Sequence, residues 1–285
     1  MPIKRDTPRP RILQKLLGLA SALSISLACA NKYPSAAIEE ADAAYGSGRY
    51  EQALKIFSPA ADKGVALAQH RMGEMYHLGR GMPVDLSKAV IWYEKAAAQG
   101  NLEAQNNLGS IYYGLHDYSR ALKYFLKAAQ AGKTEAQFNM GNMYFNGEGA
   151  TRDYVKAARW YAKAAANDDP RAQNNLGYMH ENGLGLPKDE ALSFSWYKKA
   201  AERGSRESQA RLGAYYESER GGHLDRAEAY KWYLLSSAQG LEGAKQSLKS
   251  LESRMTPEQI SEAKFRAGPV RRDATPPPPK KASVP

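Results

Sequence analysis

Cysteine is nearly missing from this 285-residue sequence, with Cys29 the only one, so the body of the chain has neither a disulfide nor a thiol nucleophile to work with. Histidine is sparse at five residues. The spacings that build hydrolytic centres are absent too: there is no His-Glu-x-x-His, no Gly-x-Ser-x-Gly, and no Ser-x-x-Lys together with its companion motifs. No catalytic residue and no cofactor are expected. The longest uncharged apolar stretch, Leu16 to Ala28, is thirteen residues, short of the roughly 20 that a bilayer-spanning helix needs.

Charge of one sign is missing from the middle of the chain. The formal net charge is +10, but residues 1–30 hold five basic groups against Asp6, and residues 264–285 hold six against Asp273. Removing both ends from the 40 Lys and Arg and 30 Asp and Glu leaves 29 against 28. The body is thus close to neutral, and nucleic acid is not an expected partner. The N-terminal charge precedes the apolar stretch as it does in an export leader. Two processing chemistries overlap at its end. Ala28-Cys29-Ala30 is the small-x-small pattern of ordinary signal cleavage, whereas Ser26-Leu27-Ala28-Cys29 is similar to a bacterial lipobox, with its Leu one place late. Residues 1–30 are therefore expected to be a signal peptide or a lipoprotein signal, with Cys29 the lipidation candidate. Localisation would be periplasmic, with or without a lipid anchor in the membrane, or secreted.

What the sequence has in abundance is itself, repeated. Gly73, Gly109, Gly141, Gly177 and Gly213 follow one another at intervals of 36, 32, 36 and 36 residues, which are solenoid periods. Five residues before each stands Ala68, Ala104, Ala136, Ala172 or Ser208, and next to it always a glutamine: Gln69, Gln105, Gln137, Gln173, Gln209. Three after the glycine come Tyr76, Tyr112, Tyr144, His180 and Tyr216. A second block carries an aromatic pair and then two small residues, as in Trp92-Tyr93 with Ala96-Ala97 or Trp160-Tyr161 with Ala164-Ala165. Residues four apart share a helix face, so each unit reads as a helical hairpin whose small residues admit a neighbouring helix. Gly100, Gly132, Gly204 and Gly240, and once Asp168, are placed to end the second helices in the left-handed conformation. Gly-x-Gly loops at Gly79, Gly147 and Gly183 are not phosphate loops, because no strand precedes them and no Gly-Lys-Ser/Thr follows.

Ala-x-x-x-Leu-Gly-x-x-Tyr, a Gly-x-Gly loop, Asp-x-x-x-Ala and Trp-Tyr-x-x-Ala-Ala-x-x-Gly together resemble the Sel1-like repeat, a relative of the tetratricopeptide repeat. The resemblance covers five units in residues 65–240. Residues 31–64 are similar to a plain tetratricopeptide-like hairpin, 241–266 are expected to form C-terminal capping helices that include Thr256-Pro257, and 267–285 a disordered, proline-rich basic tail. The resemblance implies an all-α fold, a right-handed α-solenoid of helical hairpins. It also implies a non-enzymatic scaffold or adaptor of the bacterial cell envelope that binds a protein or peptide partner in a concave groove. Envelope relatives that serve polysaccharide or peptidoglycan assembly make a polysaccharide the alternative partner. A β-lactam-type hydrolase is the remote one, since the branch tied to β-lactams carries a disulfide in every repeat and this chain has none.

If the Ala, Leu, Gly and Tyr positions pack inward, helical geometry leaves positions −6, −3, +1 and +4 from each glycine facing the groove. The partner-binding candidates are then Asn106 and Tyr113, Phe138, Asn142 and Phe145, and Asn174, Tyr178 and Glu181. Aromatics beside amides suit an extended ligand, whose apolar side chains and backbone both need partners. In the preceding unit the same rows hold His70, Glu74 and His77, which share one helix face; with no fourth ligand in view they are read as polar surface, and no metal is expected.

Overall fold

A computed structural model describes residues 33–218 and 224–268. The leader, Cys29 and the proline-rich tail lie outside the described residues. Among those described there are fourteen helices and no strand, which makes the chain an all-α solenoid of helical hairpins. No helix among them is long and apolar enough to cross a membrane. The described residues divide into two compact units, one up to Leu108 and the other from Gly109 on.

The first unit holds α1 (Ser35–Gly46), α2 (Tyr50–Asp62), α3 (Ala66–Leu78), α4 (Leu86–Ala98) and the first half of α5 (Leu102–Gly114). Its core is built from small residues and a few large ones: Ala41, Ala44, Ala53, Ala60, Ala61 and Ala68 interleave with Tyr45, Phe57, Met72 and Met75. Alternating small and large side chains lets helix axes approach closely while still filling the space between them.

The second unit continues with α6 (Tyr118–Gln130), α7 (Thr134–Asn146), α8 (Tyr154–Ala166), α9 (Pro170–Asn182), α10 (Glu190–Glu202), α11 (Arg206–Glu217) and α12 (Arg226–Ala238). It ends in α13 (Glu242–Glu252) and α14 (Pro257–Ala267), both packed on α12. Each helix of α6 to α12 packs against the next in sequence.

One contact recurs in five consecutive hairpins, α3–α4 to α11–α12: the second aromatic of the second helix lies on the glycine of the first. A Cβ on Gly141 would stand 2.4 Å from the Tyr161 ring; for Gly73 under Tyr93, Gly109 under Phe125, Gly177 under Tyr197 and Gly213 under Tyr233 the distances are 2.5, 2.5, 2.8 and 2.6 Å. No side chain fits there. The helix ends are equally regular. Asp85, Asp117, Asp153, Asp189 and Asp225 cap the second helices by accepting from backbone N–H groups in the first turn. Asp168 takes a left-handed φ of 64° where the other repeats use glycine. Thr256 and Gln259 close α14 with a reciprocal capping box.

The repeated glutamine has a structural use as well. From the start of each first helix its Nε2 donates back to a carbonyl in the last turn of the preceding second helix: Gln69 to Ala61, Gln105 to Ala97, Gln137 to Ala129, Gln173 to Ala165 and Gln209 to Ala201, at 3.1–3.3 Å. These carbonyls sit where an α-helix runs out of its own donors. The glutamine's other end is satisfied only in places. Gln99 donates to Gln69 Oε1 and Gln239 to Gln209 Oε1, both at 2.8 Å, whereas Oε1 of Gln105, Gln137 and Gln173 is buried without a protein donor. For Gln137 and Gln173 the cause lies 30 residues on, at the cap of the second helix, where Asn167 and Arg203 replace glutamine. Asn167 has nearly the same backbone as Gln99, with φ −96° against −88°. Asn167→Gln is therefore expected to give Gln137 its missing donor and to raise stability by about 0.5–1.5 kcal/mol in urea unfolding. Unchanged stability would mean that Gln137 Oε1 is already hydrogen-bonded by water.

Candidate functional site

The phenols of the ring-on-glycine contact emerge on the first-helix face. In the second unit the Tyr161 hydroxyl donates to Asn142 Oδ1 at 2.7 Å and is also hydrogen-bonded by Asn175 from the next first helix. Tyr197 donates to Glu181 at 2.9 Å and Tyr233 to Glu217 at 2.8 Å. Burial raises the pKa of all three phenols well above that of free tyrosine, and the neighbouring carboxylates add to the shift at Tyr197 and Tyr233. They are donors at neutral pH, not nucleophiles.

Around Tyr161 the aromatic candidates gather. Phe138 lies 5.9 Å and Phe145 6.5 Å from its ring, and Phe145 also meets Tyr154 at 5.1 Å and Tyr178 at 6.3 Å. The Arg171 guanidinium covers Phe138 at 4.3 Å. Both phenylalanines are half-buried against the α8–α9 core, so they form the floor of the face, and Tyr178, 38% exposed, is its accessible rim. Asn174 accepts from Ser208 at 2.8 Å, and Glu181 has Arg211 4.0 Å away. Tyr113 donates to Glu148 at 2.9 Å, and desolvation together with that carboxylate pushes its pKa up to about 12. Asn142 differs from these polar residues in one respect: Tyr161 holds its Oδ1, and its amide N–H groups meet no partner among the described residues.

Asn106 does not belong to this face: it is only 2% exposed, and His70, at the same position one repeat earlier, 4%. In these two repeats the −3 position is covered, and His70 packs there against the Tyr93 ring at 5.7 Å, whereas Phe138 and Asn174 at the same register stay half-buried. The open sector is turned toward positions −6, −2, +1 and +5. The sequence reading missed the −2 row, Asn107, Asn139, Asn175 and Arg211, and the phenols that reach it. Three asparagines at one helical register were the available signal. In the first unit this row links to the histidine: Asn107 lies 3.2 Å from His70 Nε2, while Glu74 pairs with Arg71, which also holds Asp42. Among the described residues no three His, Cys, Asp or Glu side chains are arranged to hold a metal ion. A shallow depression of about 550 Å³ beside the short repeat is lined by Leu115, His116, Asp117, Tyr118, Arg120 and Gly149. Its polar groups pair with each other, His116 with Tyr118 and Arg120 with Asp117.

Among the described residues the first-helix face is a hairpin array of amides, neutral phenols and rings. The Sel1 repeat model matches residues 44–65, 66–101, 102–133, 134–169, 170–205 and 206–241. The chain belongs to the Sel1 repeat family, whose members are typically non-catalytic scaffolds for protein–protein interaction. Among solved structures it is similar to a Sel1 repeat protein from Oxalobacter formigenes, with 30% identity and a TM-score of 0.72 over 81% of this chain and 98% of that one. It is also similar to c5321, a protective antigen of uropathogenic Escherichia coli strains that displays an SLR fold. There identity is 30% and the TM-score 0.74 over 81% of this chain, which spans about half, 51%, of the antigen. No curated protein matches the chain.

The shifted phenols carry a sign. Each stays neutral in the folded state above the pH at which it ionises when unfolded, so its contribution is complete below about pH 10 and is lost as pH rises from there toward the folded value. The slope is about 1.4 kcal/mol per pH unit for each phenol, or about 4 for Tyr161, Tyr197 and Tyr233 together. Helicity and the part of the tyrosinate absorbance that comes from these buried phenols are expected to change in one cooperative alkaline transition. Tyrosines that all ionise near pH 10 while the helices persist would contradict the burial of these hydroxyls.

Proposed function

We propose that this chain is a non-enzymatic adaptor of the bacterial cell envelope that holds an extended segment of a partner protein along the first-helix face of residues 109–285. The observation that carries the reading is Asn142. Its oxygen is held by Tyr161, its donors are unmatched, and it lies in the same helix as Phe145, whose ring packs against the exposed Tyr178. An amide fixed in this way can donate to a backbone carbonyl of the ligand, and the rings can take an adjacent apolar side chain. The export leader read in residues 1–30 supports an envelope site, with Cys29 as anchor if it is lipidated. The same rings would also stack on a sugar, the second reading; a glycan would stay bound at high salt, whereas a charged protein partner would not.

The test is Asn142→Asp combined with Tyr178→Ser in the full chain. Aspartate still accepts from Tyr161 but cannot donate, and Tyr178 is peripheral to the core. Capture of the partner from envelope extract is expected to fall at least about tenfold, equivalent to about 1.4 kcal/mol, with the helical spectrum and melting temperature unchanged. Undiminished capture by a folded variant would remove this face from the binding surface.

A further inference from the structure

The near-neutral total of the body conceals a sided distribution. In the second unit the opposite, second-helix face is basic. Helix α6 carries Arg120, Lys123 and Lys127, and α8 carries Lys156, Arg159 and Lys163, with no acidic residue in either helix; α10 adds Lys198 and Lys199 against Glu190 and Glu202. Arg120 and Lys156 pair with the capping carboxylates Asp117 and Asp153. Lys123, Lys127, Arg159 and Lys163 are exposed. The first helices α7 and α9 hold Glu135, Arg171 and Glu181, two acidic groups against one basic, so the excess of positive charge lies on the second-helix side.

The three basic helices start side by side. A Cβ on Gly149, just before α8, would touch the Tyr118 carbonyl at 2.5 Å, and one on Gly185, before α10, would touch Tyr154 at 2.4 Å. Trp196 of α10 packs against the α8–α9 core. Apolar groups lie among the charges. The Lys163 ammonium sits over Trp160 at 4.2 Å and that of Lys199 over Trp196 at 4.4 Å, while Val155 and Leu192 are 47% and 46% exposed.

We propose that this second-helix face is a docking surface for anionic lipid headgroups, which lays the chain on a bilayer while the first-helix face stays free for its partner. Charge complementarity argues for a polyanion. The half-buried indoles, the aliphatic residues and the lysine stems lying along the rings argue for lipid rather than nucleic acid, because such groups settle at the boundary between headgroup and acyl chain. The inference stands apart from what the opposite face holds.

The probe is vesicle co-sedimentation of the full chain, with phosphatidylglycerol mixed into phosphatidylcholine against phosphatidylcholine alone. The leader is identical in every variant and cancels from the comparison. Wild type is expected to prefer the anionic vesicles, and the quadruple variant Lys123→Gln, Lys127→Gln, Arg159→Gln, Lys163→Gln to lose most of that preference, up to about fivefold per residue removed. A control with the same loss of charge elsewhere, Lys188→Gln, Lys245→Gln, Lys249→Gln, Lys264→Gln, is expected to keep most of it. Equal loss in both variants would reduce the effect to net charge and overturn the proposal, as would a wild type that sediments equally with both vesicles. Undiminished vesicle binding by the quadruple variant would also overturn it; if duplex DNA binding were lost in the same variant, the face would belong to nucleic acid.

Discussion

A ring lying on a glycine is the contact from which the rest of this structure follows. It fixes the distance between the two helices of five hairpins at a value that no Cβ tolerates, and buried alanines beside it allow neighbouring helices to pack closely. Because four of the five rings are tyrosines, the contact also has a polar end. That end cannot be buried without a partner, so each phenol needs an acceptor on the first-helix face, and Asn142, Glu181 and Glu217 supply it for Tyr161, Tyr197 and Tyr233. In this way the core orients the surface: the side chains offered to a ligand are held by hydroxyls rooted in the packing beneath them. Phe125 makes the contact without the hydroxyl, in the one shortened repeat.

The two faces of the second unit differ in chemistry. Amides and phenol hydroxyls are presented on the first-helix face, and a cluster of exposed basic side chains lies on the second-helix face. A sum over the sequence erases this division, since the acidic residues that balance the lysines sit at helix caps, in loops and on the other face. Charge is felt locally under physiological screening, so the face, and not the total, governs what approaches it.

Most of the fold was legible because periodicity records packing directly. The glycine, the alanine five before it and the aromatic of the second helix are all forced by one close approach, and they recur with it. The recurring glutamine was equally visible, but its purpose was not: only the fold shows its amide reaching back eight residues to a helix-end carbonyl. The site was half legible. Helical geometry put Asn142, Phe145 and Tyr178 on the first-helix face, where the structure also has them, yet it put Asn106 there too, because a wheel drawn for one helix cannot show which of its residues the packing around it buries. The same limit hid Asn175, whose role depends on a tyrosine fourteen residues earlier.

A double-mutant cycle on Gly141→Ala and Tyr161→Leu tests the central contact most directly. Each single change should destabilise the chain, the first by pressing a methyl group into the ring and the second by emptying the space the ring fills. If the ring and the glycine define the hairpin, the methyl group finds room once the ring is gone, and the double variant will be more stable than the sum of the singles by about 1 kcal/mol or more. Additive losses would show that the two positions do not meet, and would contradict the contact on which the solenoid and its binding face are built.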